Sequence, residues 1–455
     1  VHPRLHDVAA PLRSAPQTLS PASVPERTRT DSLLSRSGRS LPPSLRLFAC
    51  GLLSLTFASA LFNAICHFVL HFGFPYDSPF VAPISLFCDL IEYVPNSHLL
   101  HTIAYFQVPD LLTYPAPCHI IYWLLSLAGT HAVLAYLLSA AIIAGTVLLL
   151  FTQRLHKADI SWPSCTAFAT ILLLTSFPLA FTLYTANIEL YLWLLTLCGL
   201  WAYTSDREGL AVVCFALAGS AKPYPLLFFL LYLRRGYLHR ILQGVAVYLA
   251  STLISLWMVY PNIALSFRQI TSRTTTFATA NILGYKSWLV GYDHTPWSLF
   301  KAATSPWTEM HSKTELDIYL AVGLFVTLLL WFSRIRSMPS LEQITFLSVA
   351  MLILPPISND YTLLHLYAPF ALLALAIARG QIDRRFYAPA LVCYAVLFTP
   401  HSYVVAVSAH FAGQLKCLFL VALFIHVARS GRPAQIAAGH AIVDDSSLRP
   451  KLAAL

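Results

Sequence analysis

Long apolar runs alternate with short polar, mostly basic segments along most of this chain. Sustained apolar runs of this kind predict helices that cross or enter a membrane. They cover Leu45–Leu70, Ile120–Phe151 with an interruption at Gly129, Cys165–Leu183, Ile188–Tyr203, Gly209–Leu233 and Ile241–Tyr260. After a break they resume at Ile318–Phe332, Ile344–Leu354, Tyr361–Ala378, Tyr387–Phe398 and Tyr403–Ala428. Two longer stretches, His71–Cys118 and Pro261–Asp317, stand between runs as large loops. The pattern predicts an all-α polytopic membrane protein of about 10–13 hydrophobic helices, whose two large outer loops carry short interfacial helices. The domain division that follows is a disordered, basic cytoplasmic tail over 1–44, rich in Ser, Pro and Arg, a membrane domain over 45–428 and a polar cytoplasmic tail over 429–455. The first segment does not resemble a cleavable signal.

One run is unusual. Gly209–Leu233 holds Lys222-Pro223-Tyr224-Pro225 at its centre. Proline removes a backbone donor and disfavours a straight helix, so two half-helices that start and end on the same side are expected. Charge supports that arrangement. With the N-terminus inside, the inner loops hold Arg154 and Lys157; Arg207; Arg234, Arg235 and Arg240; Arg334 and Arg336; Arg379, Arg384 and Arg385; Arg429 and Arg432. Outer segments 71–118, 184–187, 355–360 and 399–402 contain neither Lys nor Arg. This is the positive-inside asymmetry, with the long loop 261–317 as its exception.

Composition changes the picture in one respect. Apolar residues are 57% of the chain and charged residues 11%, against about 45–50% and 25% in soluble domains. An ordinary soluble fold is excluded. The net charge of +9 does not point to nucleic acid, because it is distributed over inner loops. Nine cysteines are scattered without a CxxC pair or zinc spacing; Cys88 and Cys118, which share one outer loop, are the candidate disulfide.

Ionisable groups in or beside a span are the candidates for chemistry. In the first outer loop Asp89 and Glu92 are three apart and share a helix face. Leu86, Leu90, Ile91 and Val94 give that stretch an apolar side, which suits an interfacial helix. A carboxylate there suits a general base; a capping or solvated Asp is the plainer reading. Asp77 belongs to turn chemistry, and Tyr114 opens the next run. Asn187 and Glu189 precede a run, either as helix N-terminal groups or as a functional pair. Lys222, deep in an apolar run, needs a partner, either an anionic phosphate or a protein carboxylate. The second loop carries Asp293, His294, Ser298 and Lys301 between Trp288 and Trp297; His294 and Lys301 suit a phosphate and the two indoles a pyranose, unless this is simply a folded loop. Asp360, Tyr361 and His365 add a polar set at a later helix start. No P-loop, GxGxxG, HExxH or GxSxG pattern is present, which removes several soluble-enzyme mechanisms.

Taken in order, these segments resemble glycosyltransferase family 87, among the polytopic C-type glycosyltransferases that use polyprenyl-phosphate sugars. The resemblance spans roughly 45–400. It rests on Asp89 after the first run, Thr113-Tyr114-Pro115 opening the second, Asn187 before a short run, and Ala221-Lys222-Pro223-Tyr224-Pro225 before Leu233-Arg234-Arg235. A polar cluster ending Ser298-Leu299 and a late Asp360-Tyr361 complete it. Leu90 and Thr185-Ala186 depart from the family pattern, which has an aromatic after the Asp and Gly-Gln before the Asn. The resemblance implies an outer-face site, a polyprenyl-phosphate sugar donor with mannose as its sugar, and a glycolipid or glycan acceptor. It implies Asp89 as base, inversion, and no required metal, with a divalent metal left open. Substrate-binding candidates are Lys222, His294, Lys301, Asn187, Glu189, Glu92, Tyr114, Asp293, Ser298, Asp360 and Tyr361. The lipid bilayer is the expected partner and a bacterial plasma membrane the expected location; no nucleic acid is expected. A transporter or lipid-linked-sugar flippase using Lys222 and Glu189 is the competing reading, and a non-catalytic scaffold a third.

Overall fold

The computed structural model describes residues 38–72, 86–108, 113–235, 237–285, 292–400 and 412–430. Asp77, Trp288, most of both tails and the start of the Tyr403–Ala428 run lie outside them. Among the described residues regular structure is helical, and the β pairings are isolated bridges. The protein is an all-α, multi-pass membrane protein.

α1 (Pro43–Phe68) begins on a proline, whose fixed φ suits the first helical turn and whose missing N–H has no partner to lose there. The short α2 (Cys88–Tyr93) follows. The run expected to break at Gly129 does so: α3 (Ala116–Ser126) and α4 (Ala132–His156) flank a 3-10 turn at Gly129, which takes φ +56°. Only glycine adopts that left-handed backbone without strain.

The run Cys165–Leu183 is not one straight span. α5 (Trp162–Thr175) and α6 (Phe177–Thr185) bend by 49°. Ser176 between them is extended, and Pro178 lacks the N–H needed to continue the α5 ladder. α7 (Glu189–Thr204) and α8 (Glu208–Ala221) come next. The break expected at Lys222 is present: Lys222 is extended, a 3-10 segment covers Tyr224–Phe229, and α9 (Leu230–Arg235) resumes. Gly219 lets the 3-10 segment lie against α8, because a Cβ there would fall 2.4 Å from Leu226 Cδ2.

α10 (Leu238–Val259) leads to the long stretch 261–317, which carries short helices as expected. Asn262 caps α11 (Ile263–Phe277) and Thr295 caps α12 (Pro296–Thr304). α13 (Lys313–Ser333) starts five residues before the predicted Ile318, because Ser312 and Glu315 form a capping box that satisfies its first N–H groups. α14 (Ser340–Ile353), α15 (Tyr367–Ala378), α16 (Arg384–Phe398) and α17 (Ala412–Arg429) complete the described helices.

Among the described residues five helical stretches are long and apolar enough to cross a membrane, and six with the bent pair. The other apolar helices are shorter. On α13, Ile318, Val322, Phe325, Leu329 and Phe332 are exposed at helical spacing, and α4 repeats this with Leu134, Leu138 and Ile142. Apolar stripes left outside the protein core are what a lipid-facing surface requires. Inside, α7 packs on α8, α8 on α10 and α10 on α3. α6 and α7 both pack on the 3-10 segment Asp360–Leu366. These contacts bring residues far apart in sequence to one place.

Candidate active site

The site forms where α2, the α6–α7 turn, the break after α8 and the segment Asp360–Leu366 converge. Asp89 lies in the first turn of α2 and is half-buried. Phe87, two residues earlier, takes φ +55°, and Ala186, just before Asn187, takes φ +53°. Each costs an L-residue about 1–2 kcal/mol. Strained backbone of this sort clusters at functional sites. The Phe87 N–H donates to the Tyr184 carbonyl at 2.7 Å, which ties the start of α2 to the end of α6.

Asn187 is fully buried and joins two acids. Its Nδ2 donates to Asp89 Oδ2 at 2.5 Å. Its Oδ1 accepts from the Glu189 N–H at 2.8 Å. Asn187 thus serves the N-terminus of α7 and also holds the loop carboxylate. Burial raises the pKa of Asp89, opposed by the Asn187 hydrogen bond and the Lys222 charge.

Glu189 is fully buried at the first position of α7. Lys222 Nζ lies 2.6 Å from its Oε2, His365 Nε2 lies 2.7 Å from its Oε1, and the Tyr224 hydroxyl donates to Oε1. Lys222 thus has a protein carboxylate as its partner. A buried charge requires such pairing and hydrogen bonding. Its ammonium also stands 5.4 Å from the Tyr114 ring and 5.0 Å from the Tyr361 ring, within the range of cation–π attraction. The side chain keeps 12% of its surface exposed. Tyr114 packs on Tyr93, which stacks on Tyr122 at 4.6 Å. Glu92 is exposed on α2.

The stretch 261–317 makes a separate buried cluster. Asp293 Oδ1 accepts from the N–H groups of Ser358 and Thr295, at 3.0 and 3.1 Å. Its Oδ2 accepts no hydrogen bond. Burial pushes the Asp293 carboxyl up to about 7, opposed by the Ser358 N–H and the Lys301 charge. The Lys301 ammonium is fully buried and donates to the Asn281 and Gly284 carbonyls, at 3.1 and 3.4 Å. Burial lowers its pKa. His294 Nε2 bonds Ser358 Oγ at 3.0 Å, and Gln414 donates to Ser298 Oγ at 3.1 Å. All of these side chains are fully buried, so the geometry gives them protein partners rather than an open anion site. Trp297 is buried too, donates to the Ile282 carbonyl at 2.8 Å and packs on Phe300 and His311. The expected indole platform for a pyranose is therefore not formed by Trp297; its ring faces are taken up in the fold of the loop.

The two clusters meet at one strip of chain. Asp293 and Asn359 form a backbone bridge, and Asn359 Nδ2 donates to the Tyr361 hydroxyl at 3.2 Å. Asp360 turns away and is paired with Lys416 of α17, itself buried beside the Phe177 ring. Cys88 and Cys118 are free thiols, which corrects the candidate disulfide. Cys118 is buried at the start of α3, its Sγ 3.3 Å from the Ala221 carbonyl, while Cys88 lies against Asp89.

The partners of Glu189 were not assigned from sequence, although His365 and Tyr224 stood in singled-out segments. Lys416 was missed, and the signal that found Lys222, a charge inside an apolar run, applied to it as well.

Residues 112–356 match the family described as Glycosyltransferase family 87. The matched span contains Tyr114, Asn187, Glu189, Lys222 and Asp293, and leaves Asp89, Asp360 and Lys416 outside it. No curated protein and no solved structure matches the chain.

Proposed function

The chain belongs to glycosyltransferase family 87 and is a membrane glycosyltransferase, and from that premise we propose that it moves a sugar, mannose by resemblance, from a polyprenyl-phosphate donor to an acceptor hydroxyl, with Asp89 as the general base. The acceptor is a glycolipid or glycan hydroxyl at the outer face of the membrane. The observation that carries this reading is the bond from Asn187 to Asp89. It fixes one oxygen of a half-buried carboxylate and leaves the other, Oδ1, next to only the weak Cys88 thiol donor at 3.8 Å among the described residues.

The step balances as follows. Asp89 Oδ1 takes the proton of the acceptor hydroxyl. The acceptor oxygen forms a bond to the anomeric carbon as the bond from that carbon to the phosphate oxygen breaks. The lipid phosphate leaves with the bonding electron pair, and the anomeric centre inverts. Lys222 is the cation next to Asp89, and its attraction for charge growing on the leaving oxygen favours the transition state. Glu189 keeps that cation in place. In this reading Tyr114 and Tyr361 wall the same space. The buried cluster of Asp293, His294, Ser298 and Lys301 supports the wall from behind rather than touching phosphate.

The test is a transfer assay in nanodiscs with polyprenyl phosphates carrying mannose, glucose or arabinose, membrane-lipid acceptors, and mass spectrometry of products. Wild type transfers one of these sugars, and Asp89→Asn, folded to the same melting temperature, loses at least 100-fold. Transfer that survives in Asp89→Asn removes Asp89 as the base. A wild type inert toward every donor defeats the donor assignment.

A further inference from the structure

We propose that Tyr361, Phe181 and Tyr292 form an aromatic shelf that binds a pyranose ring beside Asp89; the proposal rests on the sugar-transfer reading above. α6 packs against the segment Asp360–Leu366, and this contact sets the Phe181 ring 6.2 Å from the Tyr361 ring at an interplanar angle of 8°. The Tyr292 ring lies 5.9 Å from Phe181 at 16°. Tyr184 extends the set, 6.3 Å from Phe181 at 23°. Near-parallel rings at these separations are offset neighbours. All four side chains are half-buried, and none belongs to the continuous apolar core.

The shelf is fixed at both ends. The backbone bridge between Asp293 and Asn359 holds the residue after Tyr292 against the residue two positions before Tyr361. Tyr361 also lies 5.0 Å from the Lys222 ammonium, which places one end of the row at the charged cluster that contains Asp89. The row therefore runs from the base toward the stretch 261–317.

A pyranose matches this surface in two ways. Its axial C–H bonds carry partial positive charge and favour the negative face of an aromatic ring. Its equatorial hydroxyls need hydrogen-bond partners at the rim. Asn359, which already donates to the Tyr361 hydroxyl, has an Oδ1 that accepts no hydrogen bond. A buried acceptor left without a partner is costly, and a sugar hydroxyl would satisfy it. An isoprenoid chain would also pack on aromatic faces but would leave that oxygen unmet. The chemistry is shared by the donor's sugar and the acceptor's sugar, and the experiment distinguishes them.

The experiment is saturation-transfer NMR on the protein in nanodiscs free of sugar detergents, with the methyl pyranosides of mannose, glucose and galactose as probes. Wild type saturates the ring C–H protons of at least one probe, and Phe181→Leu and Tyr292→Leu each reduce the signal at least fivefold at an unchanged melting temperature. Displacement of the probe by polyprenyl-phosphate mannose assigns the shelf to the donor sugar; retention assigns it to the acceptor. Both outcomes support the shelf. It is overturned if no probe saturates wild type, or if a folded Phe181→Leu protein keeps the wild-type signal. Binding is read without turnover, so a protein that binds a pyranoside but transfers nothing keeps the shelf and loses the reaction, while transfer with no binding difference at Phe181 does the reverse.

Discussion

Asn187 fixes Asp89 across 98 positions of sequence, through a 2.5 Å hydrogen bond from its amide to the carboxylate. The orientation of that amide is not free. Its carbonyl oxygen is committed to the Glu189 N–H, so the NH2 must face Asp89. The start of α7 therefore positions the candidate base.

This relationship gives a pH prediction. Burial raises the pKa of Asp89, while Asn187 and Lys222 oppose the rise. A base must be ionised, so transfer falls as pH drops through this raised value, above the ordinary Asp range of about 3.9. Asn187→Leu removes a donor that favours the ionised form, so the acidic limb of the rate profile moves to higher pH. Loss of one hydrogen bond to a charged group also predicts a drop of about 10- to 100-fold in kcat/KM at neutral pH. Initial rates across the pH range check both.

Lys222 and Glu189 are a buried pair at 2.6 Å. Lys222→Met leaves the Glu189 carboxylate without its ammonium and Glu189→Gln leaves the ammonium without a charged partner, each expected to destabilise the fold by about 3–5 kcal/mol. Combining Lys222→Met with Glu189→Gln removes both charges and recovers a large part of the loss. Melting temperatures of the single and double variants measure the coupling.

Gly219 tests the broken helix. Its missing side chain makes room for Leu226, which a Cβ would approach to 2.4 Å. Gly219→Ala is expected to lower stability by about 1–3 kcal/mol through overpacking. Leu226→Ala in the same chain relieves the contact and restores part of the melting temperature. A Gly219→Ala protein as stable as wild type contradicts this packing.

Asp293 makes a separate pH prediction. Its carboxyl has an ordinary value of 3.8 and is pushed up to about 7 by burial. Between those values the folded protein binds a proton that the unfolded chain does not, so this group's stabilisation is present at low pH and is lost as pH rises to about 7. Asp293→Asn keeps the acceptor for the Ser358 and Thr295 N–H groups, abolishes the slope, and raises the melting temperature at pH 8.

Orientation in the membrane is tested by labelling in a cysteine-free background. Lys313 and Arg207 lie on opposite sides in the reading that puts the N-terminus inside. Lys313 has a side chain 79% exposed and Arg207 is exposed after α7. An impermeant maleimide is expected to label Lys313→Cys from outside the cell and Arg207→Cys only after permeabilisation. The opposite pattern inverts the topology.

Much of the fold was legible because its cause is local. The break at Lys222-Pro223 and the turn at Gly129 follow from backbone chemistry carried by single residues. The bend between α5 and α6 was missed: Pro178 near the start of α6 was no clearer a signal than Pro163 at the start of α5, and Ser176 becomes extended only in context. Short helices were expected in the stretch 261–317 but not placed, because they are capped one by one at Asn262, Thr295 and Ser312. Apolar periodicity needs a longer run to register.

The residue types of the site were legible for a different reason. A carboxylate or ammonium inside or beside an apolar run must have a partner, so Asp89, Glu189 and Lys222 could be singled out from the one-dimensional pattern. Their pairing could not. Whether Lys222 faces a phosphate or Glu189, whether Trp297 offers its ring or buries it, and whether Lys301 is open or closed over by carbonyls depend on how α6, α7 and the segment Asp360–Leu366 pack. The sequence by itself determined a multi-pass helical protein and the groups that needed partners. Only the tertiary structure decided which partner each one has, because a buried charge is satisfied by whatever the fold brings within hydrogen-bond reach, and that contact is set by packing over more than a hundred residues.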